Sequence, residues 1–397
     1  MYLSKKYSSV SPSSTLAIDA KFKEMKANGA DVVGFGAGEP DFNTPEHICA
    51  AAIEAIQSGF TRYTPASGTK ELKEAVVRKF KRDNNLDYAP ENIVISNGAK
   101  HSLVNALGAV LNPGDEVIIP TPCWVSYPEM VKLSDGVPVM VKASEEEGFI
   151  VTAEKIEAAI TPKTRAIIIN TPSNPTGMIY REEDLREIAR VCVEKDIYVI
   201  SDEIYEKLIY DGEKHCSIAS FGDEIKKRTI IVNGVSKTFA MTGWRIGYTA
   251  SDAAIAKVMS NVQSHATSNP NSIAQKAALA ALDGPMDAVE EMRSEFEKRR
   301  NYMVERINSM DGVSCLMPHG AFYVMMNISK LIGKSVEEIE ITGSDSFAEA
   351  FLSIGKVAVV PCSGFDSDIH VRWSYATSME NIVEGLNRLE KFLKKLN

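Results

Sequence analysis

Three polar residues fall where short apolar runs end. Asn174 follows Arg165-Ala-Ile-Ile-Ile-Asn170, Asp202 closes Asp196-Ile-Tyr-Val-Ile-Ser-Asp202, and Lys237 comes just after Thr229-Ile-Ile-Val-Asn233. Alone, each has an ordinary reading: an Asp at a strand end usually caps a helix, and a loop Lys is usually solvated. At successive strand ends of an open sheet they can converge on one crevice, the place where such sheets bind ligands. Lys237 lies in Asn233-Gly-Val-Ser-Lys237-Thr-Phe-Ala-Met-Thr-Gly-Trp-Arg245-Ile-Gly247, a crowded and partly apolar stretch. Desolvation disfavours an ammonium, so a lysine there can be neutral at working pH. A neutral amine can form a Schiff base with an aldehyde. Arg245 adds a planar donor fork suited to phosphate.

The elements that must position these residues alternate in type, which predicts an α/β fold. Between the 165–170 and 196–202 strands, Leu185, Ile188, Ala189 and Cys192 share one helical face, completing a βαβ unit. Upstream, Thr44-Pro45 reads as a helix start, with a capping hydroxyl and Pro in the first turn. Its helix carries Ile48, Ala52, Ala55 and Ile56, and Gly59 stops it. Leu103, Val104, Leu107, Val110 and Leu111 form another apolar face, ended by Asn112-Pro-Gly-Asp115, with a strand from Glu116 to Pro120. Beyond Pro285 a long charged helix (Asp287 to about Met310) leads to strands near Ala321–Met326 and Val357–Pro361. A final helix uses Ile382, Leu386, Leu389, Phe392 and Leu393. The expected architecture is a mostly parallel central sheet flanked by helices, with a smaller α+β domain. Its boundaries are a segment 1–44 packing with the small domain, a large domain 45–284 and a small domain 285–397.

Composition narrows the function. The 397 residues carry a formal net charge of −9, which disfavours a nucleic-acid partner. No apolar run approaches the ~20 residues that span a bilayer, and residues 1–14 lack the apolar core of a signal peptide; a cytoplasmic location is expected. The six cysteines form no C-x-x-C and no Cys/His set at zinc spacing, so neither disulfides nor a metal site are expected.

The Lys237 segment resembles the lysine motif of fold-type I pyridoxal-phosphate (PLP)-dependent aminotransferases, in particular bacterial aspartate-aminotransferase-like members of class I. The resemblance runs over essentially the whole chain, with the motifs in the family's order. It implies that Lys237 forms the Schiff base with pyridoxal 5'-phosphate and then carries the proton between the substrate Cα and the cofactor. Asp202, in Ser-Asp-Glu-Ile-Tyr205, matches the carboxylate that keeps the pyridine nitrogen protonated. Asn174 and Tyr205 match the partners of the phenolic oxygen, and Trp124 the aromatic that stacks on the ring. The phosphate falls to Asn97-Gly98-Ala99-Lys100 at a helix start, where N–H groups and the dipole favour a dianion, with Ser236 and Arg245. Tyr63, in Arg-Tyr-Thr-Pro-Ala-Ser-Gly, matches a tyrosine lent to the neighbouring subunit's phosphate, implying a homodimer with shared sites. Arg372, in His-Val-Arg-Trp-Ser-Tyr-Ala, matches the α-carboxylate clamp; Gly38 and Asn174 match further contacts to that carboxylate, and Trp124 also borders the substrate.

The implied reaction is transamination between an amino acid, first aspartate, and 2-oxoglutarate. Alanine, aromatic or kynurenine donors stay open, as does a C–S β-lyase on the same residues. A regulator built on this fold is disfavoured because known types append a DNA-binding domain. A nicotinamide-dependent dehydrogenase is disfavoured because the glycine fingerprint is absent. The chain departs from the family pattern at three places. Gly234 stands where many relatives have Ser, with Ser236 adjacent to compensate. Ser11, before Pro12-Ser13, stands where prephenate-accepting relatives have Lys, so prephenate activity is not expected. Cys362 stands where Gly is common.

Overall fold

The β-branched runs at 164–170, 198–202 and 229–234 lie side by side as parallel strands, because each is apolar on both faces and finds cover only inside a sheet. The computed structural model describes residues 2–11 and 14–397. Met1, Pro12 and Ser13, and with them most of the Ser11-Pro12-Ser13 motif, lie outside the described residues. Across the seven-stranded sheet the order is 93–96, 247–250, 229–234, 198–202, 164–170, 116–121 and 137–142. All neighbours run parallel except Gly247–Ala250, which is antiparallel to both strands beside it. Lys237 and Arg245 therefore sit in the connection that turns the chain back along the sheet.

Alternate residues of the strands feed two cores. Ile168, Ile200, Ile230 and Val232 pack with Leu103, Leu107 and Met259 on one face. Ile167, Ile169 and Val199 pack with Leu185, Ile188, Ala189 and Cys192 of the helix Glu182–Glu194 on the other. A three-stranded antiparallel sheet, ordered 360–361, 370–374, 323–327, carries the rest. Against it the helices Asp287–Asn308 and Met379–Leu393 bury Phe296, Leu386 and Phe392. No helix is long and apolar enough to cross a membrane among the described residues.

Three local expectations change. The helix Glu46–Gln57 has Pro45 at its N-cap with no side-chain cap. Thr44 is drawn elsewhere: its hydroxyl donates to the Ala240 carbonyl (2.7 Å) and accepts from Trp244 Nε1 (3.0 Å), tying this helix to the Lys237 loop. Ile56 is 55% exposed rather than part of the buried face. Gly59, at φ +75°, does end the helix, with Phe60 N–H reaching back to the Ala55 carbonyl. The expected strand 357–361 is two pieces, because the chain changes partners at Val359. Val357–Ala358 pairs in parallel with Val33–Gly34, and Val360–Pro361 pairs antiparallel with Val371–Arg372.

Lys79, on the helix Lys70–Asn84, reaches Glu206 at 2.5 Å with both side chains under 5% exposed. The pair ties that helix to the segment following Asp202. Removing one partner strands the other charge, so Lys79→Met should cost about 3–5 kcal/mol in urea unfolding, and Lys79→Met/Glu206→Leu should recover most of it.

Candidate active site

Asp202 ends its strand beside Asn170, its register partner. Asn170 Nδ2 donates to the Asp202 carbonyl (3.0 Å), and Asn170 Oδ1 accepts from Asn174 N–H (2.9 Å). One asparagine thus holds the 171–177 loop over the next strand end. The Asp202 carboxylate is buried and accepts from the Tyr127 hydroxyl at 2.7 Å and from Ile204 N–H at 3.3 Å. Burial pushes its pKa up to about 6; the Tyr127 and Ile204 hydrogen bonds oppose the rise.

Lys237 faces Asp202 across a cavity of about 530 Å³. Its Nζ donates to the Gly38 carbonyl at 2.6 Å. Desolvation brings its pKa down to about 8, against the pull of Glu39 and with further lowering from Arg245 and Arg372. Arg372 enters the cavity from the three-stranded sheet, buried at 3% exposure. Its Nη1 donates to Asn174 Oδ1 (2.8 Å) and its Nη2 to the Gly36 carbonyl (3.2 Å). The guanidinium lies 4.3 Å from the Tyr323 ring centroid and 5.2 Å from that of Phe365, and its Nε has no protein acceptor.

At the other end, the helix Ala99–Val110 starts with Gly98 at φ +84°. A Cβ on Gly98 would lie 2.4 Å from Arg245 Nη2, and one on Gly247 would lie 2.3 Å from Ala99 N. Only glycines let the guanidinium and two backbones meet at this helix start, whose first N–H groups have no intrahelical acceptor. Ala99, Lys100 and Ser236 line the cavity beside Arg245. Gly234 proves to be a packing requirement: a Cβ there would meet Ile246 O at 2.9 Å and Gly247 Cα at 3.0 Å. Trp124 lines the cavity, edge-on to Tyr127 at 5.4 Å, with Lys100 Nζ 4.7 Å from its ring. Tyr205 joins through its hydroxyl to that of Tyr323, 3.1 Å away.

Lys237, Asp202, Asn174, Tyr205, Trp124, Ala99, Lys100, Ser236, Arg245, Gly38 and Arg372 all border this one cavity, with Gly98 behind Arg245. Tyr63 does not. It is 90% exposed and could serve a site only with a second chain. The sequence reading missed Tyr127 and Tyr323. Tyr127 stands three residues after Trp124 in the first turn of the helix Ser126–Leu133, its N–H bonded to the Trp124 carbonyl (3.0 Å). Tyr323 becomes visible only through the pairing of its strand with that of Arg372. Behind the Asp202 strand end, Glu203, Glu206 and His215 lie within 4.8 Å of one another. Their carboxylates are already engaged by Ser201, Ser217, His215 and Lys79.

The sequence profile of the family "Aminotransferase class I and II" matches residues 30–389. The chain belongs to this family. It is 51% identical to the aspartate aminotransferase of Bacillus subtilis over 395 residues, 100% of each chain. It is 50% identical to that of Geobacillus stearothermophilus, over 99% of each. Among solved structures, the aspartate aminotransferase of Rhizobium meliloti superposes with a TM-score of 0.97 at 43% identity, covering 100% of both chains. That of Thermus thermophilus with maleate gives 0.93 at 42%, covering 99% of this chain and 100% of that one. This aminotransferase therefore exchanges amino groups between amino acids and 2-oxo acids and uses pyridoxal 5'-phosphate. The cavity fits that cofactor: open N–H groups with Arg245 suit its phosphate, a buried carboxylate suits a protonated ring nitrogen, and an amine of lowered pKa suits its aldehyde.

Asp202 also dictates a pH dependence. Its folded pKa lies above the unfolded value of about 3.9, so the stability it contributes is full below pH ~4 and is lost as pH rises through about 6. In cofactor-free enzyme, Asp202→Asn should raise the urea midpoint at pH 7.5 by the equivalent of about 3 kcal/mol. That gain should disappear by pH 4.

Proposed function

We propose that this enzyme is an aspartate aminotransferase acting with 2-oxoglutarate, and that Lys237 is its Schiff-base lysine. The observation that carries the reading is one cavity holding an amine of lowered pKa, a buried carboxylate and an arginine with open donors. Bound there, pyridoxal 5'-phosphate supplies an aldehyde for the lysine and a ring that accepts the electrons left behind when an α-proton departs. Gly98, Ala99, Lys100 N–H, Ser236 and Arg245 hold the phosphate. Asp202, oriented by Tyr127, keeps a proton on the ring nitrogen. Trp124 covers the ring, and Asn174 and Tyr205 donate to its phenolic oxygen. Arg372, braced by Asn174, grips the substrate α-carboxylate as a bidentate pair, with Gly38 beside it, and so orients the Cα–H bond. With the cofactor bound, Lys237 Nζ would be the group that takes and returns the substrate α-proton; an amine near pKa 8 is suited to both transfers.

The aspartate preference has two supports. Relatives that carry that name are about 50% identical over the full length. Lys100 Nζ is a further cation at the cavity wall, with no carboxylate in ion-pair range among the described residues. A dicarboxylic substrate needs such a second charge. A relative from Nitrosomonas europaea, 43% identical, is named an aspartate/prephenate aminotransferase; Ser11 in place of lysine supports no prephenate use here. In the same reading, Arg372 belongs to a small domain 285–397 and Lys237 to a large one, 45–284, so the cavity opens at their junction. The working unit is a homodimer in which Tyr63 reaches the partner's phosphate; Tyr63, Ile53 and Ile56, exposed at 90%, 54% and 55%, support a self-complementary contact.

Lys237→Ala should abolish transamination while pyridoxal 5'-phosphate still binds through its phosphate. Borohydride reduction of the wild type should leave a pyridoxyl mass on the peptide containing Lys237; its absence there defeats the assignment. Pyruvate and ammonia appearing without any oxo-acid acceptor would instead mark a β-lyase. Lys100→Met should lower kcat/KM for aspartate roughly 10- to 100-fold and that for alanine less than about 3-fold, measured with 2-oxoglutarate in fixed excess.

A further inference from the structure

Tyr323 is 1% exposed and stands on the second sheet, opposite Ser374 in the antiparallel pairing. Arg372 lies two residues from that partner, so the two side chains share a face as diagonal neighbours. The Tyr323 ring forms one wall of the guanidinium slot at 4.3 Å, Phe365 the other. Its hydroxyl points elsewhere, to the Tyr205 hydroxyl at 3.1 Å. A buried phenol must find a partner, and a phenylalanine would fill the same space without that demand. The Tyr323 side chain therefore touches two groups that the transamination reading gives different tasks, and it touches them with different atoms.

We propose that Tyr323 is a positioning residue with two separable actions: its ring holds the Arg372 guanidinium for the substrate carboxylate, and its hydroxyl orients the Tyr205 hydroxyl toward the cofactor. The inference rests on the roles proposed above for Arg372 and Tyr205. The ring acts through a cation–π contact, which gains strength away from water. It leaves the edge of the guanidinium free for a carboxylate, because Asn174 and Gly36 take only one donor from each terminal nitrogen. The hydroxyl acts through a chain of two phenols. When Tyr205 spends its proton on the cofactor's phenolic oxygen, its own oxygen accepts from Tyr323, and a donor that is itself accepting a hydrogen bond donates more strongly. Without the Tyr323 hydroxyl, Tyr205 donates less well, the phenolic oxygen stays more basic, and the Schiff-base nitrogen keeps its proton to higher pH.

That nitrogen, on Lys237, is faced by Glu39 from the N-terminal loop, Asp202 from the strand end, Arg245 from its own loop and Arg372 from the second sheet. Tyr205 is faced by Asp202, Arg372 and Tyr323. Tyr323→Phe leaves every one of these except the hydroxyl in question, so a change in titration reports on it alone.

The test uses holoenzyme in three forms, wild type, Tyr323→Phe and Tyr323→Met, and two readouts that need no turnover. One is the pH titration of the cofactor absorbance, and the other is the dissociation constant of maleate, an unreactive dicarboxylate. Tyr323→Phe should titrate higher by on the order of 0.3 pH unit or more while binding maleate within about 2-fold of wild type. Tyr323→Met should show the same titration change and also bind maleate roughly 5- to 20-fold more weakly. A Tyr323→Phe enzyme that titrates as the wild type does, or a Tyr323→Met enzyme that binds maleate as tightly as Tyr323→Phe, overturns the proposal. If Tyr323→Met does not fold, the titration of Tyr323→Phe decides the hydroxyl half and Tyr323→Leu replaces it for the ring. Failure of the underlying reading looks different: the wild type itself would then show no pH-dependent chromophore or no maleate binding.

Discussion

One amine and one carboxylate are withdrawn from water at the same edge of the central sheet, and water alone would have favoured the charged form of each. Burial lowers Lys237 toward neutrality and raises Asp202 toward protonation, so both come within reach of working pH. The surroundings then restrain the shifts. Tyr127 donates to the carboxylate, while Glu39 and Asp202 both draw the amine's pKa back up. A site of this kind is costly for stability and useful for proton transfer, which is the usual exchange at catalytic centres. The sheet that carries it is packed by apolar cores on both faces.

Parallel strands explain why these groups meet. In the strands ending at Asn170, Asp202 and Gly234, corresponding chain positions fall at the same edge, so residues far apart in sequence become neighbours there. The turn back to Gly247–Ala250 bends Arg245 into the same edge, and its left-handed backbone (φ 57°) aims the guanidinium at the helix start. The small residues around it allow the approach. Gly98, Gly234 and Gly247 each sit where a Cβ would strike backbone or the guanidinium. The glycine at 234, which looked from the sequence like a missing phosphate hydroxyl, is set by this close packing.

The second sheet supplies what the first cannot, a cation positioned from across the cavity. Arg372 is held at its edges by Asn174 and the Gly36 carbonyl and at its faces by two aromatic rings. Asn174 belongs to the first sheet's loop and Gly36 to the N-terminal segment, so the guanidinium joins three parts of the chain. Phe35 and Trp373, with centroids 4.6 Å apart, make the apolar counterpart of that junction.

Much of this was legible in the residues alone. Apolar runs bounded by turn residues located the central strands, and helical spacing located Leu185, Ile188, Ala189 and Cys192 on a face that is buried, because both follow from local periodicity. Lys237, Asp202 and Asn174 stood out because strand ends of such sheets converge. Their partners were hidden wherever contact depends on chain segments distant in sequence. Thr44 looked like a helix cap and instead bridges to Ala240 and Trp244; the 357–361 run looked like one strand and serves two sheets. Tyr127 beneath Asp202 and Tyr323 between Arg372 and Tyr205 carry no local signature of those contacts. The sequence by itself determined which elements form and which groups can do chemistry, since propensity and side-chain type are local properties. Only the tertiary structure decided how far each group is desolvated and what it is hydrogen-bonded to, since those depend on which distant segments close over it.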